Sequence, residues 1–201
     1  MKTNVNLTLT IAALSLITFT SCKENKKEQN SDHENHTEMS HDNADNNLNG
    51  EKMSATLKSS QNEYFEVILN DYLNLKDALV GDDNEKAKKM GTTLANSLGN
   101  LDVSKYTDSQ KSELKDIIEN AKEHAKHISE SDIKHQREHF KTISKDVTNM
   151  VAITGTEKKL YEQFCPMYDK GTAWLSISKD IKNPYYGSQM LTCGKVQKEI
   201  N

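Results

Sequence analysis

Between Thr107 and Val151 the chain reads TDSQKSELKDIIENAKEHAKHISESDIKHQREHFKTISKDVTNMV, and this stretch decides the fold. Leu114, Ile117, Ala121, Ala125 and Ile128 recur three or four residues apart. After "SESD" a similar spacing returns at Ile133, Phe140, Ile143, Val147 and Val151. A period of that length gathers each set on one face of an α-helix. Thr107 followed three residues later by Gln110 is the signature of a capping box and fixes where the first helix starts. A joint as short as "SESD" turns the second helix back antiparallel to the first.

Working outward, two more stripes precede this hairpin. Phe65, Ile68, Tyr72, Leu75 and Leu79 make one, closed by Gly81, with Asp82 or Asp83 as the next N-cap. Ala87, Met90, Leu94, Leu98 and Leu101 make the other. Four amphipathic helices with short joints predict an all-α, up-down four-helix bundle over residues 62–201, and the stripes are its core. After Gly155 the periodicity stops. Pro166, Gly171, Pro184, Gly187 and Gly194 punctuate an irregular Cys- and Met-containing tail, with room for a short β-hairpin around Asp169–Gly171. Phe164, Trp174, Tyr185 and Tyr186 are expected to pack this tail on the bundle, and "KNPYYG" reads as a turn.

The N-terminal region has a different character. Lys2 and the apolar "LTLTIAALSLITF" make a signal peptide over residues 1–21, with an apolar stretch too short to span a bilayer. Small residues in "FTSC" lead into Cys22 as in a bacterial lipobox, so Cys22 is the expected lipidation site, against an ordinary secretory peptide as the alternative. Acyl chains would anchor the protein to a membrane without spanning it. Residues 22–61 are poor in apolar side chains and read as a disordered tether. Within it, "DHENHTEMSHD" sets His33, His36, Met39 and His41 together, three of the seven histidines, as a weak and fast-exchanging metal collector; otherwise it is a solvated linker.

The chain carries 26 basic and 30 acidic side chains, well interspersed, for a net charge of −4. No basic block offers itself to phosphate, which excludes nucleic acid as an expected partner. Catalysis has little support either. Ser176 and Ser178 lack nucleophile-elbow glycines, no phosphate-binding loop is present, and "EHAKH" fits neither a di-iron Glu-x-x-His nor a zinc-protease motif. No small-molecule substrate is identified.

Of three cysteines, removing an acylated Cys22 leaves Cys165 in "YEQFCPMYDKG" and Cys193 in "QMLTCG", each with a methionine nearby, Met167 and Met190. Thiolate and thioether sulfur are soft donors that select Cu(I). Two cysteines in an oxidising compartment can equally form a disulfide, worth about 3 kcal/mol for a loop of this size. On the helical hairpin, His124 and His127 lie three apart, His135 and His139 four apart. Equidistance from the turn brings 124 level with 139, and 127 level with 135. His124 and His139 should border the core, His127 and His135 should be more exposed.

In order along the chain, "QREHF", "YEQFCPM", "GTAWLS", "IKNPYYG" and "QMLTCGKV" resemble a helical domain of unknown function from Gram-negative bacteria. That domain occurs alone behind lipoprotein signals, and fused to periplasmic adaptor subunits of copper and silver efflux pumps. The resemblance covers roughly residues 63–200, with Tyr168 where a small residue is more usual and Tyr186 where phenylalanine is commoner. It implies a metal-handling role at His139, Cys165, Met167, Met190 and Cys193, to which the spacing adds His124. The ligand implied is copper as Cu(I), with silver or zinc as alternatives. The location implied is the cell envelope, on a lipid anchor facing the periplasm from the outer membrane, with heavy-metal efflux components as partners. No adaptor region is present, so the chain is not itself the pump adaptor. The competing reading is a disulfide-stapled helical lipoprotein that serves as a protein-interaction module.

Overall fold

The capping box read at Thr107 closes in the computed structural model: Gln110 N–H donates to Thr107 Oγ1 at 3.4 Å, and Thr107 N–H donates to Gln110 Oε1 at 3.2 Å. The structure describes residues 48–200, with side chains from Glu63 onward. Four helices come first, α1 (Leu48–Val80), α2 (Asn84–Gly99), α3 (Asp108–Glu130) and α4 (Ile133–Thr154). Asp83 caps α2 by accepting from Lys86 N–H, and Asp132 caps α4 by accepting from His135 N–H. Gly155, with φ of 73°, ends α4. Each helix packs on the next, and α1 also packs on α4.

The expected stripes form most of the observed core, with Met90, Leu101 and Ile133 only partly buried against it. Phe65, Ile68, Tyr72, Leu75 and Leu79 of α1 are buried, with Leu94 and Leu98 of α2, Leu114, Ala121, Ala125 and Ile128 of α3, and Phe140, Ile143 and Val147 of α4. Each large apolar side chain withdrawn from water in this way contributes roughly 1.5–3 kcal/mol before the cost of ordering it.

The tail is not irregular, which corrects the all-α expectation. It forms a three-stranded antiparallel sheet of β1 (Leu160–Cys165), β2 (Thr172–Ser176) and β3 (Lys195–Ile200), in the order β2-β1-β3. Tyr161 pairs with Ser176 and Cys165 with Thr172, so the hairpin turn falls at 166–171, where Asp169, Lys170 and Gly171 all have positive φ. The expected turn is therefore real and the strands around it are longer than a short hairpin. Two things hid them. The buried position Gln163 breaks the apolar alternation of β1, its side-chain amide donating to the Ser178 and Asp180 carbonyls. Strand β3 is mostly exposed and charged, held by backbone pairing rather than by an apolar face.

The sheet lies on α4 through β2, and a buried polar network joins the two layers. Tyr72 Oη accepts the Leu175 N–H at 3.0 Å and lies 3.0 Å from Ser144 Oγ, while Tyr185 Oη donates to the Ala173 carbonyl at 2.7 Å. Trp174, Leu175 and Tyr185 join the helical core.

Residues 48–61, assigned to the tether from their lack of an apolar stripe, form the first turns of α1. Their glutamate, lysine, methionine, alanine and leucine content favours helix on propensity alone. The signal peptide, Cys22 and the tether's His33, His36, Met39 and His41 lie outside the described residues. No helix among the described residues is long and apolar enough to cross a membrane.

Candidate metal centre

The end of β1 and the segment entering β3 carry the two cysteines. Cys165 is the last residue of β1 and is buried; Cys193 follows a 3-10 turn (Gly187–Gln189) and is partly exposed. Because β3 lies beside β1, the chain must bring Cys193 back near Cys165, and their Sγ atoms stand 3.0 Å apart as free thiols.

The environment treats the two sulfurs differently. Burial opposes ionisation of Cys165, yet its thiol is held below the usual range. The Cys193 thiol, the backbone N–H groups of Met167 and Tyr168 and the Asn183 side chain all hydrogen-bond to it and outweigh the burial. The Cys193 thiol is pushed up, first by its hydrogen bond to Cys165. Cys165 is thus the more readily ionised sulfur of the two, with Cys193 as the donor beside it. A sulfur supported by backbone N–H groups is the form in which cysteine binds metal or attacks.

Asn183 organises this corner and was not singled out in the sequence, where "KNPYYG" read only as a turn. It is fully buried. Its Nδ2 donates to the Cys193 carbonyl at 2.7 Å, its Oδ1 accepts from Tyr185 N–H at 2.8 Å and Tyr186 N–H at 3.3 Å, and its own N–H donates to the Leu191 carbonyl at 2.8 Å. An asparagine before a proline that starts a turn is the only signal the sequence offers for this. Pro166 stiffens the other side of the site, where Met167 N–H meets Cys165 and the Met167 carbonyl accepts from Tyr186 Oη at 3.0 Å. Both methionines stand near solvent, Met167 at 63% and Met190 at 38% exposure, and the Cys193 N–H donates to the Met190 carbonyl at 3.0 Å.

The histidines gather elsewhere. His124 and His139 come level across the α3–α4 seam as their spacing requires, with Nδ1 atoms 2.8 Å apart. His139 stacks on His127, ring centroids 4.8 Å apart, and stands 6.1 Å from His135. Burial and then the neighbouring imidazoles hold the His139 pKa below the usual histidine value, favouring its neutral form. The structure therefore unites Cys165 with Cys193, and His124 with His139. It does not gather the histidines with the sulfur pair: among the described residues no three His, Cys, Asp or Glu side chains form one group able to hold a metal ion.

Residues 68–159 match the model of a family described as "Protein of unknown function (DUF3347)". The match runs from within α1 to the residue before β1, so it includes all four histidines of the seam and leaves out both cysteines. What it shows of this chain is similarity to a helical domain of unknown function. No curated protein and no solved structure matches the chain.

Proposed function

We propose that this chain is a lipid-anchored envelope protein that binds Cu(I) at Cys165 and Cys193, for buffering or for delivery to a heavy-metal efflux system. One observation carries the reading: two free thiols 3.0 Å apart, the buried one supported by backbone N–H groups, with an exposed methionine on the chain beside each. Two sulfurs about 2.3 Å from one ion stand less than roughly 4.6 Å apart, so a small opening of the pair admits a soft ion between them. Met167 and Met190 supply thioethers at the solvent side, where an incoming or departing ion passes. The resemblance of "CPM", "NPYYG" and "MLTCG" to domains fused to copper and silver pump adaptors supports the same cargo, and silver shares its ligand preference. The tether's His33, His36, Met39 and His41 would collect ions ahead of the site, and the "FTSC" lipobox would supply the anchor. In this reading the protein binds and passes on an ion and catalyses no reaction.

The second reading is a stable Cys165–Cys193 disulfide in a protein-interaction module, favoured by the same closeness of the sulfurs. An anaerobic Cu(I) titration against a chromophoric chelator separates the two. The reduced full chain is used, with His33, His36 and His41 changed to alanine. The copper reading expects one tight equivalent, lost in Cys193→Ser while the helices remain folded. Full affinity in Cys193→Ser, or thiols that stay paired under mild reduction, overturns it.

A further inference from the structure

The α3–α4 seam brings four imidazoles together at a place the sulfur pair does not reach. We propose that His124, His127, His135 and His139 form a second metal site, separate from the cysteines, for a divalent ion of borderline softness such as Zn2+ or Cu2+. Three rings surround His139, with centroids at 5.1 Å (His124), 4.8 Å (His127) and 6.1 Å (His135). His135 and His139 lie four apart on α4, the spacing at which two histidines on one helix face share a zinc ion. His124 adds a third donor from the facing helix, already at 2.8 Å from His139 Nδ1. Three imidazoles with one position left open is an established zinc arrangement.

The surroundings are those of a cation site. Glu123 stands 3.8 Å from His127 Nε2 and Glu138 stands 3.7 Å from His135 Nε2. Drawn in from there to hydrogen-bond distance, a carboxylate on one ring nitrogen orients the imidazole and raises the donor strength of the other. Asp146, a buried carboxylate that accepts from Asn120 Nδ2 at 2.7 Å, lies within electrostatic range of His124. His124 Nδ1 and His139 Nδ1 face each other, and among the described residues the rings as they stand do not make a preformed three-ligand group, so the site needs the outer rings to turn. His127 and His135, with side chains 52% and 61% exposed, are free to turn inward at little cost in packing. Imidazole without thiolate favours zinc, copper(II) or nickel over Cu(I), so the two sites would take ions of different class.

The test is a Zn2+ titration against a competing chelator. It uses the full chain with His33, His36 and His41 changed to alanine to silence the tether, and Cys193→Ser to disable the sulfur pair. The site predicts one equivalent of Zn2+. Adding His139→Ala should weaken it more than 100-fold, and Glu138→Gln should weaken it about 10-fold, as loss of an outer-shell carboxylate does. His127→Ala and His135→Ala fall at exposed positions that cannot unfold the bundle, and each should also lower affinity, so the test holds even if His139→Ala misfolds. Absence of the equivalent, or zinc binding indifferent to His135→Ala and His127→Ala together, overturns the proposal. Because Cys193 is already replaced, the outcome is independent of the Cu(I) reading.

Discussion

Arg137 of α4 is paired with Asp82, in the joint between α1 and α2, and through that pair it fastens the C-terminal segment to the helices. The guanidinium is nearly buried, and it also donates to the Leu79 carbonyl and the Pro184 carbonyl, each at 2.9 Å. Replacing Arg137 by methionine takes the guanidinium from the Pro184 carbonyl and from Asp82, while the Leu79 carbonyl keeps the Asp82 N–H, and should cost about 3 kcal/mol. Arg137→Lys should recover only part of this, because an ammonium cannot span three acceptors set apart. Urea denaturation midpoints of the two variants check both statements.

The same pair makes stability depend on acid. Hydrogen bonds from Ser188, followed by Arg137, lower the Asp82 carboxyl from 3.8 to about 2. A depressed carboxyl contributes stability that is complete above the unfolded value and is lost as pH falls through the folded one. The difference in thermal midpoint between the natural chain and Asp82→Asn should therefore be constant above about pH 4 and shrink towards pH 2. A difference that persists unchanged at pH 2 would show that Asp82 acts by shape and not by charge.

Two glycines of positive φ should respond very differently to alanine. Gly155 and Gly187 have φ of 73° and 53°. Nothing lies near a Cβ at Gly155, so Gly155→Ala should cost only the backbone strain of its φ of 73° and ψ of 178°, of order 1–3 kcal/mol. A Cβ at Gly187 collides with the Asp82 carboxylate and the Arg137 guanidinium, so Gly187→Ala should cost clearly more and remove the acid dependence attributed to Asp82. Calorimetric melts at pH 7 and pH 3 decide it.

Asn183→Ala removes the side chain that joins both cysteine segments. It leaves the Cys193 carbonyl and the Tyr185 N–H unpartnered, a loss of about 2–3 kcal/mol, with the helices still folded. Cu(I) affinity should fall although all four sulfurs remain. Unchanged affinity in this variant would mean the pair is held by its strands alone.

How much of this was legible in the sequence depended on whether a residue's role is written in its spacing. Phe65 to Leu79 and Leu114 to Ile128 announce their burial by period, and Thr107 with Gln110 announces a helix start. The meeting of His124 and His139 followed from equal distance to one turn. Strand β1 was hidden because buried Gln163 satisfies its amide with loop carbonyls, a fact of tertiary structure that no pattern carries. Asn183 was hidden for the same reason: its partners, from Tyr185 and Cys193 nearby to Cys165 at the end of β1, lie in segments without periodicity. The join of histidines to sulfur expected from the resemblance does not appear, because α4 presents His139 to α3 while its other side receives β2.

The unequal exposure of the two thiols gives any exchange of cargo a direction. A soft donor arriving from solution meets Met190 and Cys193 first, and Cys165, shut in at the end of β1, last. An ion leaving this site would surrender its outer sulfur before its inner one and pass through an intermediate held jointly by Cys165 and the recipient. A recipient would therefore have to approach from the side of the exposed Met190 and Leu191, because the other sulfur is closed off by the strand that carries it.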